Sequence, residues 1–123
     1  MIDKNERKFV VMMLPFCADI AEGRQVDVRS VMTMQNVFLY AITGDEMFVE
    51  NIRSGYSEEL VSSKSSFLRS LTNIHGDPKC TGQDAEFLRR LPKPMAVAVL
   101  WWSSLKSLFK EKYPEHFGGN HAP

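Results

Sequence analysis

The stretch that most constrains this chain is residues 94–113. It opens with Pro94, runs through eight apolar side chains at positions 95–102, turns amphipathic and ends in Lys110 and Lys112 ahead of Pro114. Both tryptophans, Trp101 and Trp102, stand side by side in it. Aromatic side chains bury more area than any other kind, so this segment organises a core, a partner surface or both. Taken alone, residues 95–102 could be a buried strand, since Val97 and Val99 favour extended backbone. The continuation argues for a helix over residues 95–113, because Ala98, Trp101, Trp102, Leu105, Leu108, Phe109 and Tyr113 recur at helical spacing. Pro94 sits near the first turn, where its missing N–H costs nothing. A helix that is apolar all round in its first half has to be covered all round. Residues 95–102 are therefore expected in the middle of a bundle, with the lysine-bearing end at the surface.

The remaining apolar positions also follow helical spacing. Asp3 with Glu6 forms an acidic variant of the capping box. Phe9, Met13, Phe16, Cys17 and Ile20 then keep one face as far as Gly23, with Pro15 expected to kink or split the helix over residues 4–22. Asp27 caps a second helix whose face carries Val28, Val31, Met32, Phe38, Leu39 and Ile42, and Gly44 closes it. Thr43 and Glu46 predict a second capping box before a short helix with Met47, Phe48 and Ile52, ended by Gly55. Ser57 caps a fourth helix, with Glu58 and Glu59 in the first turn, where the helix dipole favours acids. Tyr56 can staple onto Val61 across that cap. Leu60, Val61, Lys64, Phe67, Leu68, Leu71 and Ile74 hold its period. Residues 75–82 carry turn chemistry, and a short helix with Phe87, Leu88 and Leu91 precedes Pro92 and Pro94.

These signals predict an all-α fold: a compact bundle of five to six helices around a central C-terminal Trp-Trp helix. Residues 1–114 form a single helical domain and residues 115–123 a flexible C-terminal tail. A chain of 123 residues with 44% hydrophobic and 24% charged side chains can bury one core without staples. Cys17 reads as a small core residue and Cys80 as a loop thiol, both reduced, which fits a cytoplasmic setting. A charged stretch before the apolar residues 9–18 superficially resembles a signal peptide. Asp3, Glu6, Pro15 and the lack of a small-x-small cleavage site argue against one. No apolar run approaches the ~18 residues of a membrane span.

Function has to be read from weaker signs. Lys plus Arg and Asp plus Glu both number fifteen, so the chain lacks the broad positive field of a nucleic-acid binder. Charge is nonetheless segregated. Asp45, Glu46, Glu50, Glu58 and Glu59 face only Arg53 over residues 45–59, while residues 79–112 are mainly basic. His75, Asp77 and Cys80 are the one local cluster of reactive side chains. They are too few for a zinc site, the other histidines being His116 and His121 in the tail. The acids fall at caps and first turns, and no phosphate-loop spacing occurs. A helix-turn-helix across Gly55 would aim Glu58 and Glu59 at phosphates, which repels them.

The expectation is therefore a non-enzymatic protein-binding module, a small adaptor, chaperone or inhibitor, by analogy with phage and mobile-element proteins that block host systems. It needs no catalytic residue, metal or cofactor. The partner-binding candidates are Met12, Met34, Glu50, Glu58, Glu59, Arg89, Arg90, Lys93, Lys106 and Lys110. Spare methionines supply adaptable apolar surface, and opposite charge patches steer a partner. The alternative is a nucleic-acid accessory protein using Arg89, Arg90, Lys93, Lys106 and Lys110. A homodimer is expected too, with Glu50, Glu58 or Glu59 on its rim against Lys106 or Lys110.

Overall fold

The computed structural model describes residues 3–82 and 84–118, in the order α1 Lys4–Ala21, α2 Val28–Thr43, α3 Glu46–Ser54, α4 Glu58–Arg69, α5 Ala85–Arg89, α6 Lys93–Phe109 and α7 Pro114–Phe117. The described residues form an all-α bundle with no strand beyond one isolated bridge between Thr72 and Pro78. No described helix is long and apolar enough to cross a membrane.

Local chemistry sets most helix ends. The Asp3 carboxylate accepts from the Glu6 N–H at 2.7 Å, Asp27 from Ser30 at 3.3 Å, and Ser57 from Leu60 at 3.1 Å. Each side chain thereby satisfies a donor that the first turn leaves orphaned. Gly44 ends α2 at φ +73°, a conformation that side-chain-bearing residues rarely adopt. α1 continues through Pro15 as one helix, so of the expected kink or split the split does not occur. The carbonyl that Pro15 leaves without a donor belongs to Val11, which is exposed on the solvent side and open to water.

Four further expectations are corrected. The cap of α3 is Asp45, which accepts from Met47 N–H at 2.9 Å. Thr43 instead donates to the Leu39 carbonyl at 2.7 Å and accepts from Asp45 N–H at 3.2 Å. α4 stops at Arg69 and does not reach Ile74. The Ser70 hydroxyl donates to the Phe67 carbonyl, and the Asn73 side chain accepts from His75 and Asp77 N–H groups, so side chains turn the backbone out of the helix. Leu71 is buried while Ile74 is 93% exposed. The final helix starts at Lys93 and breaks after Phe109, and Pro114 opens a separate turn, α7.

The tail expected from residue 115 is ordered through that turn, with Phe117 buried and stacked on Trp102 at 5.0 Å. Aromatic stacking over a buried indole explains why one helical turn holds its place. Residues 119–123 of the expected tail, including His121, lie outside the described residues.

The core sits between α1 and α6, the most extensive helix pair. The start of α1 lies beside the end of α6 and α7, since Asn5 donates to the His116 carbonyl and Glu6 senses the charge of Lys106. Phe9 meets Trp101 edge-on at 5.2 Å and Phe38 at 5.4 Å, and Phe38 meets Trp102 edge-on at 5.9 Å. These are the offset geometries that aromatic quadrupoles prefer. Coverage of α6 is uneven: Ala96, Val97, Ala98, Trp101, Trp102 and Leu105 are buried, Val99 and Leu100 only half-buried, and Leu108 is exposed.

A polar joint holds α2 to α3 and to the turn before α4. Buried Asn36 donates to the Met32 carbonyl at 2.9 Å and accepts from Asn51 at 3.1 Å, and Tyr56 hydroxyl lies 3.1 Å from Thr33.

Asp45 ties α3 to the far end of the chain. Besides capping α3, it accepts from the Tyr113 hydroxyl and lies 3.6 Å from the Lys112 ammonium. The Tyr113 hydrogen bond, then the Met47 N–H and Lys112, hold its carboxyl below the usual aspartate range. A carboxyl lowered in the folded state stabilises the fold above its unfolded value, and that stability is lost as pH falls through the folded value. Asp27 and Asp77 are lowered in the same sense. Melting temperature should therefore hold through neutral pH and drop as pH falls below about 4. Asp45→Ala should lower it at pH 7 by several degrees and flatten the acid-side drop, which a melt series from pH 7 to pH 2.5 checks.

Candidate functional site

One end of α1, the connection into α2 and the end of α4 enclose a groove of about 720 Å³, a volume typical of ligand and peptide sites. Its apolar wall comes from Ile20, Val26, Val28 and Leu68. Ser65, Arg69, Thr72 and Asn73 supply a polar side, and Arg24 and Ile74 also line the groove. The early end of α4 creates this shape. It carries Ile74 out of the helical register and leaves an aliphatic side chain almost fully in solvent, next to an apolar wall.

The two arginines differ in electrostatics. Arg24 lies 2.8 Å from Asp19 and also bonds Glu22, so its charge is more than balanced. Arg69 donates to the hydroxyls of Ser65 at 2.8 Å and Ser66 at 3.4 Å, and no carboxylate among the described residues lies within ion-pair reach of it. A guanidinium fixed by neutral hydroxyls keeps donors for an external anion.

A second cluster lies where α2, α4 and α6 meet. The half-buried Lys64 ammonium donates to Gln35 Oε1 at 3.0 Å, and the same oxygen accepts Trp101 Nε1–H at 2.9 Å. Lys64 Nζ stands 4.9 Å from the Phe67 ring centroid and 5.8 Å from that of Trp101. Burial pushes Lys64 down to about 8. The ring faces attract the cation, which opposes that drop. Neither cluster is among the partner-binding candidates read from the sequence. The one sign of the second was a lysine on the apolar period of its helix.

The sequence-derived candidates are scattered. Met12 and Met34 are half-buried against the core, so they are packing residues at its edge more than spare surface. Glu50 pairs with Arg53 at 2.9 Å and Glu58 with Arg29 at 2.7 Å, leaving Glu59 exposed. Arg89 and Arg90 share Glu86 at 3.6 and 4.0 Å, and Lys93 pairs with Asp77 at 2.7 Å. Lys106 and Lys110 are exposed. The segregated charge is thus largely matched close to home, which weakens both patches as steering fields.

No two side chains of His75, Asp77 and Cys80 are hydrogen-bonded to each other among the described residues. Asp77 is engaged with Lys93, His75 is exposed, and burial pushes the Cys80 thiol up, away from the reactive thiolate. Cys17, fully buried, is pushed up to about 12. Both cysteines are free, and no group of three His, Cys, Asp or Glu among the described residues is placed to hold a metal ion. Set against protein-family models, curated proteins and solved structures, the chain has no match in any of the three comparisons.

Proposed function

We propose that this chain is a non-enzymatic protein-binding module, an adaptor, chaperone or inhibitor of the phage or mobile-element type, working in a reducing cytoplasm. Its docking surface is the groove beside Ile74. The occupant is a segment of another protein that places an aliphatic side chain between Val26, Val28 and Leu68 and a carboxylate on Arg69. The observation that carries this reading is the pairing of an apolar groove with a guanidinium that has no carboxylate of the described residues within ion-pair reach. An exposed aliphatic side chain at the rim adds contact area where a partner excludes water.

The test is comparative. Tagged wild type, Arg69→Glu and Ile74→Asp are used to capture partners from the native host, and the recovered protein is then titrated in purified form. The wild type is expected to hold one protein stoichiometrically, and each variant to weaken it about tenfold or more at unchanged melting temperature. Equal binding by all three chains would remove the groove from the function. Recovery of nucleic acid alone would favour the basic reading, which rests on Lys106 and Lys110 now that Arg89, Arg90 and Lys93 have partners within the chain. Self-association belongs to the same proposal, with Glu59 against Lys106 or Lys110 on the rim. Light scattering at micromolar concentration should return twice the chain's mass at both low and moderate salt, since rim pairs contribute only about 0–1 kcal/mol each.

A further inference from the structure

We propose that the groove is self-complementary: two copies of this chain pair across it, and each fills the docking surface of the other. The inference rests on the groove being that docking surface. Its apolar half comes from exposure. Ile74 lines the groove yet is 93% exposed, so its own chain gives it almost no cover. Ile20, Val26, Val28 and Leu68 form an apolar wall in the same groove. A chain that carries both an uncovered aliphatic side chain and a wall to receive it needs only a two-fold axis through the groove to satisfy both.

Charge supplies the other half. Arg69 is held by the Ser65 and Ser66 hydroxyls, with no carboxylate of the described residues within ion-pair reach. Arg24, which also lines the groove, bonds both Asp19 and Glu22, so that cluster carries one negative charge in excess. Glu22 is the more exposed of the two acids, and giving it up leaves Arg24 with Asp19 at 2.8 Å. In a two-fold pair, Glu22 of one copy meets Arg69 of the other, and the same contact repeats with the copies exchanged. Both excess charges are then matched, through a guanidinium whose geometry suits a carboxylate.

This contact and the rim of Glu59 with Lys106 or Lys110 are separable by mutation. Lys106 acts on Glu6, near the start of α1, whereas the groove forms at the end of that helix. Arg69, Ile74 and Glu22 are all exposed, so changing them leaves the core intact.

The purified full chain is followed by sedimentation equilibrium across the micromolar range. Wild type is expected to dimerise, and Ile74→Asp, Arg69→Glu and Glu22→Arg each to weaken the dimer about tenfold or more at unchanged melting temperature. The decisive sample mixes the last two variants. Each alone sets like charges across the contact, but in the mixture both crossed pairs are again opposite in sign. Arg69→Glu and Glu22→Arg should therefore associate with each other at close to wild-type affinity while neither pairs with itself. A mixture that stays monomeric overturns the two-fold contact. So does a dimer that is lost in Lys106→Glu with Lys110→Glu but kept in Ile74→Asp and Arg69→Glu, which would place the contact at the rim. A monomeric wild type also overturns it, and leaves the groove to a different protein. A crossed dimer that forms as expected, beside a host protein held equally by wild type and groove variants, would keep the pairing and take that protein out of the groove.

Discussion

Trp101→Ala should unfold the chain or lower its stability by roughly 3–5 kcal/mol, the range for removing a large aromatic side chain from a packed core. Trp101 is fully buried, meets Phe9 edge-on, and donates its indole N–H to Gln35. Truncation therefore opens a cavity at the α1–α6 contact and breaks a hydrogen bond that joins α6 to α2. Trp102 supplies an internal comparison. It is equally buried, but its Nε1 has no hydrogen-bond partner among the described residues. An unmatched buried N–H costs about 1–3 kcal/mol, so replacing Trp102 with Phe removes that cost along with some buried area. Trp102→Phe should accordingly be much milder than Trp101→Phe, which loses area and leaves Gln35 Oε1 with Lys64 as its one donor among the described residues. Urea denaturation of the three variants gives the ranking. A Trp101→Ala midpoint indistinguishable from wild type would mean that α6 does not sit where it is described.

The contrast between the two tryptophans shows which parts of this fold are legible in sequence. Their burial follows from spacing and size, which are local properties. So do the caps at Asp3, Asp27 and Ser57 and the stop at Gly44, because each involves residues within one turn of the helix end. The cap of α3 was misplaced by two residues, since Thr43 and Asp45 are both competent caps and only the observed backbone chooses between them. The end of α4 was hidden for a different reason. Leu71 and Ile74 continue an apolar period, yet Asn73 offers the backbone a competing set of hydrogen bonds.

Phe117 was beyond reach in a stretch that reads as loose tail, because its stability comes from stacking on Trp102, fifteen residues earlier. Charge pairing across elements is hidden in the same way. Arg29 and Glu58, or Lys93 and Asp77, are neighbours only once the helices are folded. The groove is a product of that three-dimensional arrangement too, assembled from two separate stretches, residues 20–28 and 65–74. Lys64 did leave a trace, a cation on an apolar helical face. Only the meeting of α2, α4 and α6 shows that it has a neutral acceptor and two rings there in place of a carboxylate.

Gly76→Ala should cost more than any other glycine substitution in the described chain. Gly76 is a buried loop residue at φ +77°, and an added Cβ would fall 1.9 Å from the carbonyl oxygen of Ala21, at the end of α1. Two effects combine. The left-handed backbone disfavours a side chain by about 1–2 kcal/mol. The clash is with backbone, which cannot rotate aside, and displacing packed structure costs about 1–3 kcal/mol more. The expected loss is roughly 2–5 kcal/mol. Gly44→Ala isolates the first effect, because Gly44 has φ +73° but nothing within 4 Å of the added carbon. It should lose only about 1 kcal/mol. The difference between the two variants measures how tightly the loop after α4 seats on α1. That seating bears on the proposed docking role because the same loop carries Asn73 and Ile74, which line the groove. Gly76→Ala should therefore weaken partner binding at temperatures where the chain remains folded, whereas Gly44→Ala should leave it unchanged. Equal losses of stability in the two variants would show that the loop stands away from α1 in solution, and the groove would lose one of its walls.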